Sequence, residues 1–298
     1  MRIVLFGKGG QVGWELQRSL APLGELVALD FDSTDFHADF SRPAALADTV
    51  RALRPDLIVN AAAHTAVDKV EAEPEFAALL NTEAPRVLAA EAAALGAWLV
   101  HYSTDYVFDG SGSAPRDEQA ATGPLSAYGR TKLDGENAIR ASGCKHLILR
   151  TSWVYAARGG NFARTMLELA AERESLAVID DQIGAPTGAD LLADITAHAI
   201  RAVRHEPQLG GTYHAVAGGE TSWHGYARFV IEWARAHGLP VRVAADAIKA
   251  VPTSAYPTRA RRPLNSRLDT RKLRSVFGLA LPPWQSGVER MLTEVYGK

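Results

Sequence analysis

Ile3-Val4-Leu5-Phe6-Gly7-Lys8-Gly9-Gly10-Gln11-Val12-Gly13 decides the fold of this chain. Four apolar residues in a row read as a buried strand. The pattern from Val12 to Leu20 reads as a helix, and glycines fill the turn between the two. Gly7, Gly10 and Gly13 are spaced as GxxGxxG, which differs from the GxGxxG dinucleotide fingerprint. Both patterns put glycine where a backbone must come close to a pyrophosphate, and a helix N-terminus adds free N–H groups and a positive dipole end. A glycine turn serving tight geometry alone is the plainer alternative. The strand-turn-helix setting favours the nucleotide.

The same alternation continues outward. Strands are read at Leu26–Leu29, Leu57–Val59, Trp98–Tyr102 and Leu147–Leu149. Helices are read at Ala44–Leu53, Pro74–Leu80, Ala84–Leu95 with Gly96 as its stop, and Tyr128–Arg140. Continuous apolar strands alternating with helices imply an α/β fold, a Rossmann-type doubly wound parallel sheet covered on both faces. Ligands then bind beyond the carboxyl ends of the strands. From about Thr151 onward the pattern loosens, with glycine pairs at Gly159-Gly160, Gly210-Gly211 and Gly218-Gly219. Residues 1–150 are therefore expected to form the NAD(P)-binding domain. Residues 151–298 are expected to form a smaller, interleaved substrate domain, with parts returning to the sheet.

Composition narrows the class. The chain has 298 residues, 47% of them hydrophobic, and a formal net charge of -2, so it lacks the basic excess of a nucleic-acid binder. The one cysteine, Cys144, allows no internal disulfide. The apolar run at Met1–Gly7 is too short for a signal peptide, and no stretch reaches the roughly 20 apolar residues of a membrane span. A soluble cytoplasmic protein is the expectation.

Candidate chemistry follows the strands. Asp30 ends the second strand, 17 residues after Gly13, where an acid accepts from ribose hydroxyls and repels a 2′-phosphate. It points to NADH ahead of NADPH without excluding dual use. Tyr128 and Lys132 are four apart and share one helix face. A free tyrosine has a pKa of about 10. A nearby ammonium is expected to lower it toward the working range. This spacing is common by chance; a surface lysine and a half-buried tyrosine are the alternative. A hydroxyl just past the fourth strand, Thr104 or Ser103, is placed to bind a carbonyl, and strand alternation lets one of them face the site. His64 reads as a loop or cofactor-edge residue, not as a catalytic base.

Taken in order, Gly7–Gly13, Asn60–His64, Ser103–Phe108 and Tyr128–Lys132 resemble the extended short-chain dehydrogenase/reductases. Asn60–Asp68, His101–Phe108, Arg150–Tyr155, Asp181–Gly188 and Arg262–Leu268 resemble, more closely, the dTDP-4-dehydrorhamnose reductase family, almost end to end. The resemblance implies reduction of a dTDP-4-keto-6-deoxysugar by NADH or NADPH, the last step of dTDP-L-rhamnose synthesis. It implies that Gly10, Gln11 and Val12 touch the pyrophosphate and Asp30 the ribose, with Asp39 and Phe40 flanking the adenine. Ala62, Ala63, His64, Thr65 and Tyr102 would line the cofactor channel. Tyr128 would be the proton donor and Lys132 its partner, with Thr104 where many relatives carry serine. Thr104, Asp105 and Trp153 would contact the sugar nucleotide, and the arginines near Pro263 its diphosphate. Some members use magnesium (Mg2+) at a homodimer interface. Glu15, Glu289 and Glu294 are the candidate carboxylates, with solvated helix acids as the ordinary reading. Two rival functions share the scaffold. One is a sugar-nucleotide epimerase or dehydratase that retains NAD. The other is a non-catalytic regulatory subunit of the methionine adenosyltransferase type.

Overall fold

The structure is a computed structural model that describes residues 1–297. Five strands come from the first half: β1 (Arg2–Phe6), β2 (Glu25–Leu29), β3 (Leu57–Asn60), β4 (Trp98–Thr104) and β5 (Lys145–Thr151). After the short strands β6 (Val154–Tyr155), β7 (Leu176–Ile179), β8 (Ile183–Gly184) and β9 (Thr187–Gly188), the chain returns to the sheet as β10 (Gly211–His214). Among the described residues the main sheet runs β2-β1-β3-β4-β5-β10, all parallel. The order reverses between β1 and β3, which opens a crevice at their carboxyl ends.

Continuous apolar strands follow from burial on both faces. Ile3, Leu5, Leu57 and Val59 pack with α1 (Gln11–Leu20) on one side. Val4, Phe6 and Ile58 pack on the other with α2 (Pro43–Leu53). The β3–β4 crossover holds α3 (Val67–Val70), α4 (Pro74–Ala78) and α5 (Ala84–Leu95), and α5 ends at Gly96 with a left-handed φ of 68°. The sequence reads a break between two helices here. Instead a π-helical turn, Leu79–Glu83, makes the run continuous. It turns Asn81 inward, where the amide accepts from the His64 N–H at 2.8 Å and donates to the His64 carbonyl and the Thr131 hydroxyl. Such a turn is a deliberate irregularity, often found next to functional sites.

α6 (Ala127–Ala141) carries Tyr128 and Lys132, and starts on Ser126, whose hydroxyl accepts from the Gly129 N–H at 3.1 Å. In the second half α7 (Phe162–Glu172) precedes α8 (Ala189–His205), which packs against the sheet face that α1 covers. β8 pairs with Thr221–Ser222 and β7 with Ile248–Val251, in two small two-stranded sheets beside the main one. β4 is two residues longer than its apolar run, so Ser103 and Thr104 lie on the strand itself. Among the described residues no helix is long and apolar enough to cross a membrane.

Candidate active site

A cavity of about 430 Å³ opens at the carboxyl ends of β1, β3, β4 and β5. On the glycine-loop side of the cavity, the three glycines stand for three different reasons. Gly7 has φ +87°, and a Cβ there would come within 2.8 Å of the Ala61 and Ala62 backbone. A Cβ on Gly13 would fall on the Gly7 carbonyl oxygen. A Cβ on Gly10 would meet only the Gly7 oxygen, at an ordinary 3.5 Å, so the protein's own packing does not demand glycine there. Gly10 faces the cavity, and no side chain caps α1 behind it. That leaves N–H donors and the positive helix end for an anion.

Alternation sorts the residues after β3. Ala61, Ala63 and Thr65 face the cavity, while the Ala62 and His64 side chains point away from it. Of the residues expected to line the channel, Ala62 and His64 would therefore do so through backbone. Ala62 packs on the core. The His64 imidazole lies 2.6 Å from Glu73 and edge-on to Phe76, and this contact holds the Glu73 carboxyl below its ordinary range. Phe40 is placed in the same way. Its ring is buried edge-on against Phe6, so only its backbone is available to an adenine. The Asp39 carboxylate accepts from the Ser41 N–H at 2.9 Å, and hydrogen bonding to Ser41 lowers its pKa. Asp30 accepts from the N–H groups of Gly9, at 2.8 Å, and Phe31, at 2.9 Å, which fixes its carboxylate at the loop's rim.

Tyr128, Thr104, Asp105 and Lys132 all reach the cavity. α6 approaches the turn after β4 closely because Gly129 sits against the Tyr106 carbonyl. The Tyr106 ring then meets Tyr128 edge-on, with centroids 5.4 Å apart. Burial pushes the Tyr128 hydroxyl well above its ordinary pKa, and hydrogen bonding with Thr104 pulls the other way. Lys132 does not do so in the free chain, against expectation. Its ammonium nitrogen turns back to donate to the Tyr102 carbonyl at 2.6 Å and lies 3.1 Å from His101 Nε2. Burial brings Lys132 down to about 8, with Glu136 opposing. Ser103 is used elsewhere, donating to Glu136 at 2.6 Å. Thr104 is thus the hydroxyl of the two that is not tied to Glu136; it donates to Asp105 Oδ1 at 3.1 Å and accepts from the Tyr106 N–H at 3.2 Å. Burial raises Asp105 to about 6, against hydrogen bonds from Ser266 and Thr104. Tyr102 faces the cavity but its hydroxyl is bonded to Thr196 of α8 at 2.5 Å.

Trp153 closes the far side with a backbone φ of 50°, uncommon for a side chain of its size. Its indole stacks on Trp223, centroids 3.6 Å apart and planes 14° from parallel. Gly184 makes room, since a Cβ there would come within 2.8 Å of the Trp153 ring. The Trp223 indole donates to Gln182 at 3.1 Å. Sequence reading missed Trp223, because a lone tryptophan 70 residues downstream carries no spacing signal. Gln11 Oε1, Asp105 Oδ2, Thr151 Oγ1 and Ser152 Oγ belong to residues that line the cavity, and these atoms are buried and without a partner among the described residues. Buried polar atoms of this kind call for a ligand or water. Of the arginines near Pro263, Arg262 is already committed to Asp68 at 2.6 Å.

The family model described as the RmlD substrate binding domain matches residues 1–296. The dTDP-4-dehydrorhamnose reductase of Shigella flexneri is 61% identical, over 99% of this chain and 98% of that protein. The chain belongs to the dTDP-4-dehydrorhamnose reductase family. A solved reductase of this family from Clostridium acetobutylicum superposes with a TM-score of 0.89 at 33% identity, covering 99% of each chain. One from Bacillus anthracis, solved in complex with NADP, gives 0.87 at 33% identity, covering 98% of this chain and 99% of that one. Neither the epimerase nor the regulatory-subunit reading is favoured by these relatives.

The magnesium of some family members does not fit within one chain. Among the described residues no group of three or more His, Cys, Asp or Glu is placed to hold a metal ion. Glu15 and Glu294 line a second cavity of about 370 Å³, while Glu289 does not, and Glu15 is paired with Arg18 at 3.5 Å.

Proposed function

We propose that the chain reduces the 4-keto group of dTDP-4-dehydro-β-L-rhamnose to give dTDP-L-rhamnose, using NADH or NADPH. Identity of 61% along the whole length to a reductase of that name carries this reading. The cavity fits a dinucleotide: the uncapped start of α1 and the Gly10 gap face it, and Gln11 lines it. Gly10, Gln11 and Val12 hold the pyrophosphate, Gly7 and Gly13 keep the loop tight, and Asp30 takes the adenosine ribose. Asp39 and Phe40 offer their backbone to the adenine. Ala63, Thr65 and Tyr102 wall the nicotinamide end. Residues 1–150 are then mainly the cofactor's and 151–298 mainly the sugar nucleotide's.

When bound, the reduced nicotinamide supplies a hydride to C4 of the sugar. Thr104 turns its hydroxyl from Asp105 to donate a hydrogen bond to the C4 oxygen, which draws charge away from the carbonyl carbon. Tyr128 gives its proton to that oxygen. The high resting pKa of Tyr128 keeps this proton in place until the oxygen becomes basic. Lys132, as the ammonium, then steadies the phenolate through its charge. Asp105 and the Trp153 face orient the sugar nucleotide. A cytoplasmic homodimer is the matching assembly, tested by light scattering and cell fractionation. Loss of reduced-cofactor absorbance on mixing with dTDP-4-dehydro-β-L-rhamnose tests the reaction; no turnover with either cofactor overturns it.

A further inference from the structure

Behind Lys132 lies a buried chain of polar groups that this mechanism does not use. Asn60 ends β3 and His101 stands beside it in register on β4. Each is 1% exposed. Asn60 Nδ2 is 3.0 Å from His101 Nδ1, and His101 Nε2 is 3.1 Å from Lys132 Nζ.

The protons on this chain follow by elimination. The Ala62 N–H donates to Asn60 Oδ1 at 3.0 Å. That contact fixes the amide, because a flipped amide would set its NH2 against the Ala62 N–H. Nδ2 is therefore the donor toward His101 Nδ1, and Nδ1 accepts. A neutral imidazole carries one ring proton, so it sits on Nε2, facing Lys132. An ammonium has no lone pair to receive it. A neutral amine has one, and still keeps N–H groups for the Tyr102 carbonyl.

We propose that Asn60 and His101 are positioning residues for the charge of Lys132. They bias it toward the neutral amine in the free chain, so that its ammonium form depends on what occupies the cavity. The inference rests on reading Tyr128 and Lys132 as the proton-delivery pair. The surroundings support it. Glu136, one turn along α6, pulls Lys132 toward protonation, but its carboxylate is shared with Arg150 of β5, Arg140 and Ser103. From β3 the facing group is the Asn60 amide, which does not titrate. Tyr128, Tyr102 and Asp105 share the cavity. Burial drives His101 well below its ordinary pKa, so it stays neutral, and leaves Lys132 at about 8, where a small bias tips its charge. The amide ends the chain of groups, so Lys132 takes its proton from the cavity side.

Long-range 1H–15N correlation of the histidine ring nitrogens in the cofactor-free protein reads the tautomer without any turnover. The expected result is a neutral His101 protonated on Nε2. A His101 protonated on Nδ1, or on both nitrogens, at neutral pH overturns the proposal. In Asn60→Asp one carboxylate oxygen still accepts from Ala62, and the other draws the proton to Nδ1. Its expected signature is a switched tautomer and a Lys132 titration moved up by roughly one pH unit or more, read from the 13Cε shift of labelled lysine. The basic limb of kcat/KM moves with it. A folded Asn60→Asp protein with an unmoved lysine titration also overturns the proposal; if that variant does not fold, the parent's tautomer decides. An inactive parent protein would instead sink the reductase reading, and leaves the tautomer measurement standing.

Discussion

The two sides of the cavity are built differently. The side proposed for the cofactor comes from one short stretch, Gly7 to Gly13, and the strand ends beside it. The side proposed for the sugar is built on Trp153 and Trp223, with Gly184 against the Trp153 ring and Ser266 bonded to Asp105; these residues lie far apart in the chain and meet only through folding. The cofactor side works through backbone, where the decisive property is a missing side chain. The sugar side works through side chains held by other side chains. Damage to the first should therefore be steric and abrupt, and damage to the second graded and substrate-specific.

Tyr128→Phe sits between the two sides and tests the chemistry they share. It should lower kcat by roughly 10²–10⁴-fold while the cofactor still binds, as a lost general acid does. Stopped-flow reduction with cofactor titration reads both; loss of cofactor binding would mean that Tyr128 is structural. Gly13→Val is the sharpest break of the cofactor side. Its Cβ falls on the Gly7 carbonyl, so the loop must open at a cost of about 1–3 kcal/mol. Cofactor affinity should drop more than the melting temperature suggests, by calorimetry and thermal melts.

Asp105→Asn separates stability from function on the sugar side. Asp105 has a folded pKa near 6, raised from 3.8 by burial. The folded chain thus holds this proton more tightly than the unfolded one, and stability falls as pH rises from about 4 to 6. The asparagine variant should be more stable than the parent by up to about 3 kcal/mol above pH 6 and by nothing below pH 4. Thermal melts at pH 4 and 8 check this, and activity should fall at both. Trp223→Ala is expected to be mildest. Removing the ring behind Trp153 should raise KM for the sugar nucleotide by roughly 2- to 10-fold, from a stacking energy of about 0.5–1.5 kcal/mol, with cofactor affinity unchanged. An equal effect on both ligands would erase the comparison.

The sheet was legible because buried parallel strands announce themselves as apolar runs, and glycine spacing marks the loop. What the sequence could not show was side-chain direction. Ala62 and His64 follow β3 as Ala63 and Thr65 do, but alternation sends them away from the cavity. Phe40 was read as an adenine neighbour, and the core claimed its ring because Phe6 lies beneath it. The helical spacing of Tyr128 and Lys132 placed both on one face, yet it could not reveal that Lys132 turns to the Tyr102 carbonyl, because that partner comes from β4 and not from the helix. Trp223 had no local signal at all.

The most direct measurement is a turnover assay of the purified chain with dTDP-4-dehydro-β-L-rhamnose, run in parallel with NADH and NADPH and with Tyr128→Phe alongside. The account predicts oxidation of the reduced cofactor in step with dTDP-L-rhamnose formation by the parent protein, and almost none by the variant. Absence of product with both cofactors, or equal rates for parent and variant, would contradict it.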